Sequence, residues 1–287
     1  MHLKTATTVE EQIAKLEERG IIISDKEKAK EILLDIGYYR LGFYLFPFEV
    51  TYPSLKHRKH KFKENTKIEY AVALYYLDFD LRHILIRYLT RIEIALRTAI
   101  IYYISNKYKN SPTWFVDKSV VTSEYANDFN TSVYGSIINK PVIARHHKKH
   151  INDKFAPAWK TIEFMTLGEV IVLYQNLKMI DDKLTISNYF GVKKTSVFEN
   201  YLETVRVVRN LCAHGNVLFD LKLHKRVKKG PASWEQKTNG SDLKAAISVV
   251  SYLLKQISVN REKEMKEQIK TAIEKAKKSY PNIEEML

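Results

Sequence analysis

Residues 66–107 read TKIEYAVALYYLDFDLRHILIRYLTRIEIALRTAIIYYISNK, with neither proline nor glycine. Apolar side chains recur at steps of three and four: Ile68, Val72, Tyr75, Phe79, then Leu85, Leu89, Ile92, Leu96 and Ile100. A helix needs that period to keep one face against a core. The stretch predicts one long helix, or two joined by a kink near 78–80, and with it an all-α chain. Arg87, Arg91, Glu93 and Arg97 interrupt the apolar run. Arg87 and Arg91 are four apart, as are Glu93 and Arg97, so each pair shares a helical face. Charges in so apolar a segment need partners or must line a cleft. Intrahelical salt bridging is the expected use.

Upstream, residues 9–19 read as a short amphipathic helix. Ser24 and Glu27 have capping-box spacing for a second helix that stops near Gly37. GYYRLGFYLFPF at 37–48, broken by Gly42 and Pro47, reads as an irregular or short-strand connector, its aromatics packed inside rather than stacked on bases. Downstream, 110–156 is the least periodic part. Pro157 suits the first turn of a helix running to about Lys178, and a shorter piece covers 181–190. Ser196 and Glu199 open a helix that Gly215 can end. Ser241 caps an apolar helix to about Val259, and a charged amphipathic helix follows to about Ser279. With no internal repeat or clear linker, the economical architecture is a helical bundle with an N-terminal helical elaboration.

Hydrophobic residues make up 45% of the 287, enough for a sizeable core. The formal net charge of +14 favours polyanionic partners, nucleic acid first. Cys212 is the single cysteine, which excludes an intramolecular disulfide and a thiolate zinc cluster. The opening, MHLKTATTVEEQIAKL, lacks the apolar core of a signal peptide. No apolar run approaches the ~20 residues that span a bilayer, so a cytoplasmic protein with no membrane partner is expected.

Three basic knots stand out. They are KHRKHKFK at 56–63 (Lys56, Arg58, Lys59, Lys61, Lys63), RHHKKH at 145–150 (Arg145, Lys148, Lys149) and LKLHKRVKK at 221–229 (Lys225, Arg226, Lys228, Lys229). Each is expected in a loop, where side chains reach phosphates from several directions, and these residues are the candidate RNA contacts. His146, His147 and His150 have no carboxylate cluster beside them, so no metal site and no cofactor is expected.

The stretch that carries chemistry is VRVVRNLCAHGN, 205–216. Five helical residues turn the chain by about 500°, so Arg209 and His214 do not stack on one face. Arg209 is long, however, and His214 lies in the last turn before Gly215, where a helix loosens. Both can then converge on one phosphate. Metal-free RNA cleavage needs a base for the ribose 2′-hydroxyl, an acid for the departing 5′-oxygen and a cation for the phosphoryl oxygens. A guanidinium matches those oxygens with its fork. One such helix supplies one Arg and one His, so the chemistry points to a homodimer with a composite site. On spacing alone, an Arg and a His five apart are common by chance.

The segment 209–214 resembles the Arg, four-to-six residues, His motif of HEPN ribonucleases, with Asn210 in the polar position after the Arg. The wider chain resembles the Abi-like abortive-infection proteins of bacteria, of the AbiD and AbiF type. The matching pieces are GYYRLGFYLFPF at 37–48, LDFDLRHILIRYLTRIEIALRT at 77–98, PAWKTIEFMTLGEVIVLY at 157–174 and VRNLCAH at 208–214, in the family's order. The resemblance implies a HEPN-type helical bundle at 66–287 with an N-terminal extension at 1–65, or one continuous unit. It implies a phage-defence toxin that cleaves RNA as a dimer. Arg209 and His214 would be catalytic and Asn210 would support the motif. A small structured RNA is an implied partner, as antitoxin or guide. The family commonly places a further His and Arg after the catalytic His, where this chain has Gly215, Asn216 and Val217. The competing reading is a HEPN-like protein that binds a structured RNA and cuts nothing. A membrane-perturbing toxin ranks last, because the apolar face of 261–279 is thin.

Overall fold

The computed structural model describes residues 5–232 and 240–287. All regular structure among them is helical, and the β-like pairings are isolated bridges such as Ile22–Lys67 and Glu49–Phe62. The all-α expectation holds. The chain divides into two compact units, neither contiguous in sequence.

The first unit comprises residues up to Ile84, together with Gly215–Asp220 and Glu267–Leu287. Helix α1 (Val9–Glu18) opens on a capping box of Thr8 and Glu11. Helix α2 (Lys26–Ile36) is capped by Asp25, not by Ser24: the Asp25 carboxylate accepts from the Lys28 N–H at 2.9 Å. A charged acceptor also suits the positive end of the helix dipole. Gly37, at φ +85°, turns the chain into α3 (Tyr38–Leu45), which tightens into a 3-10 turn, Phe46–Phe48. The expected irregular connector is therefore helical. Gly42 costs about 1 kcal/mol inside a helix, whereas burying Leu41, Tyr44 and Leu45 stabilises by roughly 1.5–3 kcal/mol each. Pro47 sits in the first turn of the 3-10 segment, where no N–H is required.

Helix α4 (Ile68–Lys107) runs unbroken, its residues to Ile84 in the first unit and those from Leu85 in the second. Of the two alternatives, one long helix or two joined near 78–80, the single helix is the one formed. The buried line in its first half is Ala71, Leu74, Asp78 and Leu81, with Phe79 exposed. A polar network draws that face inward. The fully buried Asp78 carboxylate pairs with Arg82 one turn on and accepts from Tyr44 Oη at 2.8 Å. It also accepts the backbone N–H groups of Leu218 (2.9 Å) and Phe219 (2.7 Å). Arg82 donates to the carbonyl of Asn216 at 3.1 Å and Arg40 to that of Gly215 at 2.7 Å. Three segments distant in sequence are thereby tied to one carboxylate.

The second unit comprises Leu85–His214 and Leu221–Lys266. After α4 it contains α5 (Ser123–Phe129), α6 (Pro141–Lys149), α7 (Leu167–Gln175), α8 (Ile180–Tyr189), α9 (Thr195–Ala213) and α10 (Leu243–Ile257). Helix α11 (Val259–Lys277) crosses back to the first unit at Glu267. Helix α9 packs against α7, α8 and α10, burying Phe198, Leu202, Val205 and Val208. The 145–150 knot lies at the end of α6 rather than in a loop. Pro157 opens only a single turn (Ala158–Thr161) instead of a helix to Lys178. Met165 is extended and turns its carbonyl to Arg97, and Thr166 with Glu169 then restarts the chain as α7 through a capping box. Helix α9 begins at Thr195 without a side-chain cap, so the Ser196–Glu199 box is not made. Asp242, not Ser241, caps α10.

Candidate functional site

Period and packing fix which way the end of α9 faces. Val205, Val208 and Cys212 turn inward, leaving the Arg209 side chain 34% exposed and His214 exposed beyond the last helical residue. His214 is the C-cap: its backbone N–H donates to the Asn210 carbonyl at 3.0 Å. Gly215 follows at φ +65°, a conformation that glycine adopts without steric cost and that ends the helix there. The His214 imidazole makes no hydrogen bond to any described residue.

Arg209 is held from α4. Its Nε lies 3.5 Å from Glu93 Oε2, close enough for attraction but without hydrogen-bond geometry, so that buried Nε has no hydrogen-bond partner among the described residues. Nη1 reaches Asn210 Oδ1 at 3.5 Å, the outer limit of a hydrogen bond. The other Glu93 oxygen accepts from Arg97 Nη2 at 3.1 Å, which also donates to the Met165 carbonyl at 2.9 Å. The expected Glu93–Arg97 bridge within α4 is present. The spacing did not reveal that the same carboxylate faces Arg209. One carboxylate between two guanidiniums leaves a net positive charge around a Glu93 side chain that is 13% exposed. Arg209 faces Glu93 along its Nε edge and is otherwise partly exposed, with the exposed His214 five residues on.

The candidate RNA contacts fall in three places. In the second unit, Lys225, Arg226, Lys228 and Lys229 are exposed on a loop pinned to α9: Asn200 donates to the Arg226 carbonyl at 3.0 Å and accepts from the Lys228 N–H at 2.7 Å. Asn200 precedes Arg209 by nine residues, a rise of about 14 Å along the helix. Arg145, Lys148 and Lys149 are exposed on α6 of the same unit. Lys56, Lys59, Lys61 and Lys63 are exposed in the first unit, whereas Arg58 is committed to the buried Glu49. Of the histidines, His146 is buried against Asp153 at 3.0 Å, and burial, with Lys160 beside it, pushes its pKa below the usual value. His147 bonds Tyr134 Oη at 2.8 Å. Both have structural partners.

Residues 31–220, roughly two-thirds of the chain, match the family described as Abi-like protein. The chain belongs to the Abi-like protein family. No curated protein and no solved structure matches it. In this Abi-like protein the matched span holds α3, the Asp78 network, Glu93, Arg97 and the whole 209–214 motif, and leaves out α1, α10 and α11. Membership suggests a role in abortive infection, that is, phage defence. No helix among the described residues is long and apolar enough to cross a membrane.

Proposed function

We propose that this Abi-like protein is a metal-independent endoribonuclease toxin of HEPN type, acting in phage defence through Arg209 and His214 brought together with those of a second copy. The observation that carries the reading is the end of α9, where a guanidinium fixed at one edge by Glu93 precedes an exposed imidazole without a hydrogen-bond partner among the described residues. In the reaction, one imidazole takes the proton of a ribose 2′-hydroxyl and the 2′-oxygen attacks phosphorus. The bond from phosphorus to the 5′-oxygen breaks, and the second imidazole supplies the proton that oxygen needs. The guanidinium stabilises the charge on the non-bridging oxygens. The products are a 2′,3′-cyclic phosphate and a 5′-hydroxyl. The +14 charge and the exposed basic loop against α9 support an RNA substrate.

The deciding experiment is cleavage of a mixed labelled RNA pool in EDTA by wild type and His214→Ala. Cyclic-phosphate ends from wild type alone are expected, with activity of the variant reduced at least about a hundredfold. Equal cleavage by both sinks the assignment of His214. Tight, salt-sensitive RNA binding without cleavage by either favours the RNA-holding protein.

A further inference from the structure

Helix α3 places aromatic rings on its solvent side. Tyr39 is 82% exposed and Phe43, one turn on, is 44% exposed. Their rings meet edge to face at 5.2 Å. Such rings normally pack inside, as Tyr44 and Phe48 of the same segment do. Between them lies Gly42, where an added Cβ would meet nothing within 4 Å. They line an open groove of about 210 Å³ whose other wall is the end of α1 and the 56–63 loop, through Arg19, Arg58 and Phe62. That volume is below the roughly 300 Å³ at which pockets for drug-sized ligands begin, and it suits a single planar ring.

The loop is held in place rather than merely solvated. Arg58 donates to Glu49 and lies over the Phe46 ring at 4.4 Å, and His60 Nδ1 reaches Glu49 at 3.2 Å. Backbone bonds join Phe62 to the Arg19 carbonyl (3.0 Å) and Lys63 to that of Phe48 (2.9 Å). His57 and His60 adopt φ of 58° and 53°, left-handed values that are uncommon outside glycine. Residues 56–63 carry no acidic side chain, and Lys59 and Lys61 are exposed, alternating along the loop with the groove-lining Arg58, His60 and Phe62. Glu49 at the floor is paired with the Arg58 guanidinium.

Flat exposed rings beside a basic loop are what an unpaired nucleobase and its flanking phosphates require. We propose that the groove between α3 and the 56–63 loop binds unpaired nucleobases of single-stranded nucleic acid, with Tyr39 and Phe43 stacking and Lys59 and Lys61 following the phosphates. The site lies in the first unit and involves neither Arg209 nor His214. Its biological occupant, RNA, rests on the function proposed above.

The test is fluorescence anisotropy of the full chain with a labelled oligothymidylate, which lacks the 2′-hydroxyl and cannot be cut by that route, and with its abasic equivalent of the same length. Wild type is expected to prefer the base-bearing strand. The double variant Tyr39→Ala/Phe43→Ala, altered only at exposed rings, is expected to lose about 5- to 150-fold in affinity for that strand and nothing for the abasic one. Gly42→Leu, which fills the groove and leaves every aromatic in place, is expected to show the same selective loss with an unchanged or raised Tm. Equal affinity of wild type for both strands, an equal loss on both, or a change of oligomeric state in place of lost affinity overturns the proposal. Selective base binding by a chain that cuts no RNA keeps the groove and removes the nuclease.

Discussion

Glu93 occupies a position that few carboxylates tolerate, nearly buried and shared by two guanidiniums. Removing water from a carboxylate is expensive unless partners replace it, and here Arg97 supplies a hydrogen bond and Arg209 a charge. Neutralising it strands two cations, with the Nε atoms of both already lacking hydrogen bonds among the described residues. Glu93→Gln is therefore expected to lower stability by about 3 kcal/mol, read as a shift of the denaturant midpoint at constant m-value. A midpoint equal to that of wild type would show that the shared carboxylate holds nothing. The Arg209–His214 motif was legible because its residues are close in the chain. Glu93 was legible only as the partner of Arg97, since a period of four reports neighbours on one helix and carries no information about a residue on another. Of the partners of Asp78, only Arg82 lies four residues away on the same helix; the other donors come from α3 and from residues 218–219, which spacing does not report.

At the scale of elements, long apolar periodicity was readable and short-range stop signals were less so. Helices α4 and α9 follow from spacing alone. Three capping expectations missed, two of them by one residue, because Ser24 and Ser241 each precede an aspartate that makes the stronger cap. Helix α3 was obscured by Gly42 and Pro47, two residues whose local preference is outweighed by what the segment buries. The end of α9 depends on a single backbone conformation. A Cβ at Gly215 would lie 3.9 Å from Arg40 Nη2, an ordinary contact, so substitution there is opposed by the backbone alone. Gly215→Ala is expected to cost about 1 kcal/mol, and Gly215→Asn less, because Asn accepts left-handed φ more readily. Thermal melts of the three proteins test this, and identical Tm values would mean that the left-handed turn is not retained.

For the whole molecule, the +14 charge is carried by exposed side chains in separate knots rather than by one polybasic tail. Each phosphate contact on a single strand contributes about −0.7 to the slope of log affinity against log salt. Lys225→Ala/Lys229→Ala is accordingly expected to flatten that slope by about 1.4 on an uncleavable strand. An unaltered slope would assign the 221–229 knot to solvent. Composition pointed to a polyanionic partner but did not indicate which knots are hydrogen-bonded to the fold. Those bonds come from Glu49 for one knot and Asn200 for another, single polar residues with no signature of their own.

The interleaved order of the two units has a consequence for how the protein is made. The first 84 residues leave the ribosome early, yet the donors that satisfy Asp78 lie at 218–219 and the buried Ile283 lies later still. At roughly 5–20 residues per second, the stretch between Ile84 and Glu267 takes on the order of ten seconds or more to translate. Until residues 218–219 emerge, Asp78 has only Tyr44 and Arg82 as partners, and the first unit lacks the apolar Ile283 until later still. The first unit closes only after the second has been synthesised, so a chain that stalls before α11 lacks the pieces that complete its beginning.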